Sequence, residues 1–120
     1  MRSDTPVTNA TAVVVRNGRT IVKNISIEQR NSAAPVLYLQ VFNTNAPTVG
    51  TTAPIIVMQS PAGNANLDVN QISSDFQGPL GGFDFSTGLS YAATTTFNGS
   101  TNPTAGQEPR VTMDYNQIGA

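Results

Sequence analysis

The sequence contains no cysteine, histidine or tryptophan, and charged residues occupy only 11% of its 120 positions. Without cysteine and histidine there is no cysteine nucleophile, no Ser-His-Asp triad and no standard zinc site. The same absence excludes a disulfide framework. No apolar run approaches the roughly 18 residues that a transmembrane helix needs. The sequence therefore predicts neither a common hydrolase nor a helical membrane protein.

Small polar residues take the place of the missing charges. Thr, Asn, Ser and Gln together account for 43 positions, and 10 Gly and 8 Pro add turn-forming residues. Threonine favours strands, whereas Asn, Ser, Gly and Pro favour turns. This composition predicts a small all-β domain.

Runs of apolar residues and their alternation with polar ones place the expected strands. The strongest patterns cover Ala34–Phe42, Ile55–Gln59, Phe83–Thr96 with a break at Gly88, and Arg110–Tyr115. A weaker strand is predicted at Leu67–Val69. About seven or eight short strands without a helix favour one antiparallel β-sandwich, of the jelly-roll or immunoglobulin-like kind. We expect the sandwich to span residues 12–120. Residues 1–11 lack periodicity and predict an extended N-terminal arm, whose removal would leave the domain folded.

The clearest local pattern is Asn17-Gly18, which lies between the β-branched runs 12–16 and 19–23. Such a dipeptide is typical of a two-residue type I′ hairpin, because both turn residues need a positive φ. In that hairpin Arg16 and Arg19 would face each other at the tip.

Charge is unevenly distributed along the chain. Residues 1–30 hold five basic and two acidic residues, a net charge of +3, whereas residues 31–120 carry −4. The basic segment is either a solubilising surface or a docking surface for an acidic protein partner. The small number of basic residues and the lack of a binding motif argue against a nucleic-acid partner. The candidate docking residues are Arg2, Arg16, Arg19, Lys23 and Arg30.

Carboxylates are the remaining candidates for catalysis. A pair such as Asp68 with Asp75, or Asp84 with Asp114, is the residue type that glycoside hydrolysis uses. Nothing in their spacing selects either pair, and surface or turn aspartates are the simpler interpretation. Asp68-Val69-Asn70 also resembles part of a calcium loop, but the EF-hand glycine and terminal glutamate are missing. We therefore expect no enzyme activity, no metal and no cofactor.

Three aromatic residues follow strand spacing: Phe83, Phe85 and Tyr91. Their alternation is explained by packing in the core. The alternative is a platform on which sugars stack, which the absence of tryptophan weakens.

Two longer segments and the last strand resemble a known group of phage proteins. The segments are FNTNAPTVGTTAPIIVMQSPAGN from Phe42, GGFDFSTGLSYAATTT from Gly81 and RVTMDY from Arg110. In this order they resemble small virion structural proteins of tailed phages, of the capsid decoration (cement) type. The similarity spans residues 36–115 and consists of turn and strand residues rather than catalytic ones.

This resemblance implies a structural β-module of the virion. The expected protein binds the major capsid protein on the outside of the phage head, stabilises contacts between capsid subunits and forms a homotrimer. The alternative is a tail-associated receptor-binding β-module that recognises host surface glycans. Its candidate loops are the Asn- and Thr-rich residues 43–54 and 98–109. Neither interpretation expects a nucleic-acid or membrane partner.

Overall fold

The computed structural model describes residues 1–61, 68–72 and 82–118, with residues 68–72 described by their backbone pairing. These residues form nine strands and no helix. The strands are β1 (Arg2–Thr5), β2 (Val13–Asn17), β3 (Thr20–Gln29), β4 (Tyr38–Phe42), β5 (Ile56–Gln59), β6 (Asp68–Ile72), β7 (Phe83–Phe85), β8 (Gly88–Thr94) and β9 (Arg110–Gln117). Over the same ranges, no helix long and apolar enough to cross a membrane is found.

The strands form two antiparallel sheets. Sheet A has the order β1-β9-β3-β6, with β7 also paired to β3, and sheet B has the order β2-β8-β4-β5. The pairing is nested, because β1 pairs with β9, β2 with β8, β3 with β6 and β7, and β4 with β5. A long hairpin rolled into a sandwich produces this arrangement, which is a jelly roll. The predicted all-β sandwich is confirmed, and the strand order selects the jelly roll over the immunoglobulin-like alternative.

The core lies between the two sheets, and alternation along the strands explains which side chains enter it. In β3, Ile25 and Ile27 lie opposite Met113 and Val111 of β9, and all four are fully buried. Burial of each such side chain stabilises the fold by about 1.5–3 kcal/mol. The buried core residues are Val22, Ile25, Ile27, Leu39, Val41, Met58, Phe85, Leu89, Tyr91, Val111 and Met113. Strands are thereby confirmed within the predicted ranges 34–42, 55–59, 83–96 and 110–115, although β4 begins only at Tyr38 and the third range contains two strands, β7 and β8.

The predicted Asn17-Gly18 hairpin is wrong. The strands on either side of it belong to different sheets, since β2 pairs with β8 and β3 pairs with β9. Among the described residues only glycines have a positive φ, so Asn17 does not adopt the conformation that a type I′ turn requires. Gly18, with φ of 128°, instead carries the chain from one sheet to the other, and its N–H donates to the Thr87 carbonyl oxygen at 3.0 Å.

The predicted N-terminal arm is also corrected. Residues 2–5 form β1, which pairs in register with residues 111–114 of β9. The Thr5 hydroxyl hydrogen-bonds the hydroxyl of Tyr91, whose side chain is fully buried in the core. Further along, the Ala93 N–H donates to the Asn9 carbonyl oxygen at 2.8 Å. Sequence periodicity misses this segment because an edge strand of small polar residues is held by backbone pairing rather than by apolar burial.

The outer face of sheet B is covered, so that both faces of its central strands are buried. Leu39 and Val41 point into the core, whereas the alternating residues Gln40 and Phe42 point to the other side, yet both are fully buried. Every residue of β8 is buried as well. The loops that follow β4 and β8 contact these buried residues. The first cover loop (residues 43–55) does so through the Thr44 carbonyl oxygen, which accepts from the Ser90 hydroxyl, and the second cover loop (residues 95–109) through the Gly99 carbonyl oxygen, which accepts from Gln40.

Side-chain hydrogen bonds hold the cover loops in place. The Asn43 Oδ1 accepts from the backbone N–H of Thr87 at 2.8 Å and of Gly88 at 3.3 Å. The buried Gln40 Nε2 donates to the Gly99 carbonyl oxygen at 3.0 Å. Gly50 lies against the second loop so closely that an added Cβ would be 2.9 Å from the Cβ of Ser100. The two loops therefore form one continuous layer over sheet B.

Candidate functional site

The outer face of sheet A, in contrast, presents charged side chains in cross-strand rows. Strand alternation turns the polar residues of β1, β3 and β9 outward, and the register places Arg2 opposite Asp114 and Glu28 opposite Arg110. We call this surface the charged face. It consists of Arg2, Asp4, Glu28, Arg30, Arg110 and Asp114. Three basic and three acidic residues leave it with no formal net charge.

Ion pairs fix the orientation of the groups on the charged face. Arg110 binds Asp4 with two parallel bonds, from Nε at 2.9 Å and from Nη2 at 2.5 Å. This guanidinium holds the pKa of the Asp4 carboxyl below its usual value of 3.8. Arg30 donates from Nε to Glu28 Oε1 at 2.6 Å. Both pairs remain accessible to solvent, with the Arg30 side chain 62% exposed.

The charged face surrounds a shallow depression of about 440 Å³. Arg2, Glu28, Arg30, Arg110 and Asp114 line it, together with hydroxyl and amide groups of the central strands. Cationic and anionic groups thus alternate at fixed positions around one concave surface. Such a surface recognises a partner with a complementary pattern of charge rather than a partner of one sign.

The structure divides the five predicted docking residues between two regions. Arg2 and Arg30 lie together on the charged face. Lys23 lies at the bulge of β3, and its Nζ is 3.2 Å from the Asn116 side-chain oxygen once that amide is oriented to satisfy its neighbours. Arg16 and Arg19 flank the turn that joins the two sheets. The basic segment of the sequence therefore does not fold into one basic patch.

Arg19 is already paired within the chain. Its Nε and Nη2 donate to the two carboxylate oxygens of Asp84 at 3.1 Å and 2.9 Å. This pairing lowers the pKa of Asp84 and raises the pKa of Arg19. An acidic residue from the second half of the sequence thus neutralises a basic residue from the first.

The carboxylates considered for catalysis receive no support as a pair. Asp84 is bound by Arg19, and Asp114 lies opposite Arg2 and Asn24 on the charged face. Asp75 lies outside the described residues, and Asp68 is described only as part of the β6 backbone. Over the described ranges, no group of three or more Asp, Glu, His or Cys residues is placed to hold a metal ion.

The aromatic residues considered as a sugar platform belong to the core. Phe85 and Tyr91 are fully buried, and Phe83 packs against Phe85 with ring centroids 5.2 Å apart. The core interpretation is confirmed for Phe85 and Tyr91, whose burial excludes stacking on a sugar, whereas Phe83 is partly buried against the core.

A different aromatic residue is exposed. Phe97, in the second cover loop, is 61% exposed and meets Tyr38 edge to face, with ring centroids 6.0 Å apart. It borders a groove of about 480 Å³ between the two cover loops, formed by residues 50–55, Val57, Phe97 and Asn98. We call this the loop groove. Sequence analysis singled out the loops on both sides but missed Phe97. The sequence did contain a signal: Phe97 lies between three threonines and Asn-Gly, outside any alternating apolar pattern, which indicates an exposed ring.

Comparisons with protein-family models, curated proteins and solved structures found no match to this chain. The charged face and the loop groove are the two candidate binding surfaces among the described residues.

Proposed function

We propose that this protein is a non-enzymatic structural protein of a phage virion that decorates the outside of the head and binds the major capsid protein. The observation that carries the proposal is the charged face, an accessible sheet surface whose charges are held in fixed register. The resemblance of residues 36–115 to phage decoration proteins supplies the partner class. Attachment as a homotrimer at local symmetry axes of the capsid belongs to the same proposal.

The ion pairs of the charged face contribute more to binding a partner than to the stability of the fold. Exposed ion pairs contribute little to folding, because solvent screens them and ordering long side chains has an entropic cost. Across an interface, the same ordered charges steer encounter and reject partners with the wrong pattern. A modest affinity at each copy becomes tight attachment when a trimer engages several capsid subunits at once.

The direct test is attachment to capsids that lack the protein. Purified protein is mixed with such capsids, and the bound fraction is measured by co-sedimentation at increasing salt. We expect saturable binding that weakens as salt screens the charged face. We also expect bound capsids to withstand higher temperatures. Absence of binding to capsids of its own phage would contradict the proposed function.

Charge reversals then locate the docking surface. Arg2→Glu with Arg30→Glu reverses two groups of the charged face, whereas Arg19→Glu changes a group at the turn between the sheets. We expect the double variant to lose at least tenfold in affinity and the Arg19 variant to bind like wild type. The opposite result would move the docking surface to the turn. If neither variant loses affinity, the cover loops are the remaining surface.

Position and copy number in the virion separate head decoration from the tail-associated alternative. Labelling of intact particles with an antibody, together with quantitative mass spectrometry, measures both. Hundreds of copies on the head agree with decoration, whereas a few copies at the tail would favour a receptor-binding module.

A further inference from the structure

We propose that the loop groove is a binding site for a neutral sugar ring, with Phe97 as the stacking surface. This site is separate from the charged face, because it lies over the outer face of sheet B, where Val57 is paired with Gln40 of β4.

The first argument is the exposure of apolar groups at the groove. Phe97 is 61% exposed and Ile55, on the other side, is 46% exposed. Exposed apolar area is unfavourable in water, and a ligand that covers it gains about 25 cal/mol for each Å². Since Tyr38 contacts the Phe97 ring at near right angles, with an interplanar angle of 73°, the ring is held in place while much of it stays open.

The second argument is the chemistry of the lining. The groove contains the hydroxyls of Thr51 and Thr52 and the amide of Asn98 beside the aromatic ring, and none of the described residues that line it is charged. The C–H groups on one face of a pyranose ring suit the negative face of an aromatic ring. Hydroxyl and amide groups exchange hydrogen bonds with the sugar hydroxyls. An anionic sugar finds no cation here, so the ligand class is a neutral saccharide.

The third argument is that the groove is preformed. Gly50, with φ of 91°, packs against Ser100 and joins the two loops that form the walls. Asn43 and Gln40 anchor these loops to the sheet through hydrogen bonds to Thr87, Gly88 and Gly99. The volume of about 480 Å³ falls in the range of small-molecule sites, about 300–1,000 Å³. A preformed groove loses little entropy when it binds a small ligand.

The test is an NMR titration of the full chain with free monosaccharides. The probes are glucose, galactose, mannose and N-acetylglucosamine, with gluconate as an anionic control. We expect saturable shifts of backbone amides in residues 50–53, 97 and 98 for at least one neutral sugar. The affinity is expected to be weak, with Kd on the order of 1 mM, as for other small polar ligands.

Three variants make the test specific for the Phe97 ring. Phe97→Ala should weaken binding about tenfold, or 1.4 kcal/mol, whereas Phe97→Tyr should retain it because the ring remains. Val14→Ala, at the opposite edge of sheet B, removes a similarly exposed apolar side chain and should leave binding unchanged. Retained amide dispersion in each spectrum verifies the fold.

Two results would overturn the proposal: the absence of saturable shifts with all four sugars, and equal sugar binding by wild type and Phe97→Ala. If no sugar binds and Phe97→Ala also loses capsid attachment, the loop groove is a protein-docking surface. Since capsid co-sedimentation is measured separately, a failed sugar titration does not bear on the proposed attachment to the head.

Discussion

The two sheets of this jelly roll have similar inner faces but opposite outer faces. The outer face of sheet A is open and ionic, with Asp4, Arg110 and Glu28 placed at its surface. The outer face of sheet B lies beneath the two cover loops, and Gln40, Phe42 and Ser90 are fully buried there. The strand alternation is the same in both sheets. The difference arises from the connections, because the loops that follow β4 and β8 fold back over sheet B.

This contrast predicts that the two faces contribute differently to stability. Side chains on the charged face form solvent-exposed ion pairs, which contribute little to folding. Side chains under the cover loops form a second, smaller packed layer, and the loop groove lies between those loops. Substitutions on the two faces should therefore differ strongly in their effect on unfolding.

The largest difference is expected for Phe42→Ala. Phe42 is fully buried, so truncation leaves a cavity and should lower the free energy of unfolding by about 3–5 kcal/mol. A truncation on the outer face of sheet A, Ser26→Ala, should change the free energy of unfolding by no more than about 0.5 kcal/mol. Urea denaturation measures both. Similar values for the two variants would contradict the covered-face description.

Removal of residues 1–5 should have the next largest effect. The deletion exposes the edge of β9 and leaves the buried Tyr91 hydroxyl without Thr5. Since each hydrogen bond contributes about 1 kcal/mol net, loss of the β1–β9 pairing together with the Thr5–Tyr91 bond should lower the free energy of unfolding by roughly 3 kcal/mol. Tyr91→Phe in the full chain measures the hydroxyl contribution alone. If the shortened chain is as stable as wild type, residues 1–5 contribute nothing to the fold and form a free arm, as the sequence predicts.

Asn43→Ala tests the anchoring of the first cover loop. The substitution removes the acceptor for the Thr87 and Gly88 N–H groups and should cost about 1 kcal/mol. Faster hydrogen exchange of these two amides should accompany the loss. Asn45→Ala changes the same residue type in the same loop and serves as the control. Unchanged exchange at both amides would show that other contacts hold the loop.

The smallest effect is expected on the charged face, from Asp4→Asn. Arg110 lowers the pKa of Asp4 in the folded chain, so the pair stabilises the fold above the ordinary value of 3.8, and this contribution is lost as pH falls through the lowered value. Wild type should therefore be more stable than the variant at pH 7, and the two should converge in acid. Urea midpoints across pH measure this, and high salt should shrink the difference. A difference that persists in acid would exclude the ion pair as its cause.

Sequence analysis anticipated the strands whose burial alternates and missed contacts made by the remainder of the chain. Val111 and Met113 alternate with polar residues, so the sequence indicates which face of β9 points into the core. The hairpin prediction failed although Asn17-Gly18 is a strong turn signal, because the run before it pairs with β8 of sheet B and the run after it pairs with β9 of sheet A. The candidate site was predicted in part, since Arg2 and Arg30 share one surface whereas Arg16 and Arg19 lie elsewhere. Phe97 was missed because a single aromatic residue forms no alternating pattern from which its burial or exposure could be inferred.

The sequence by itself determined the all-β class, the absence of cysteine and histidine chemistry and the inward faces of β3 and β9, because these depend on composition and on a period of two residues. Only the tertiary structure decided that residues 2–5 close the edge of sheet A. It also decided that Arg19 meets Asp84 and Arg110 meets Asp4, and that two loops cover sheet B. These outcomes depend on contacts between residues distant in sequence, and no local pattern specifies which strand a given strand will pair with.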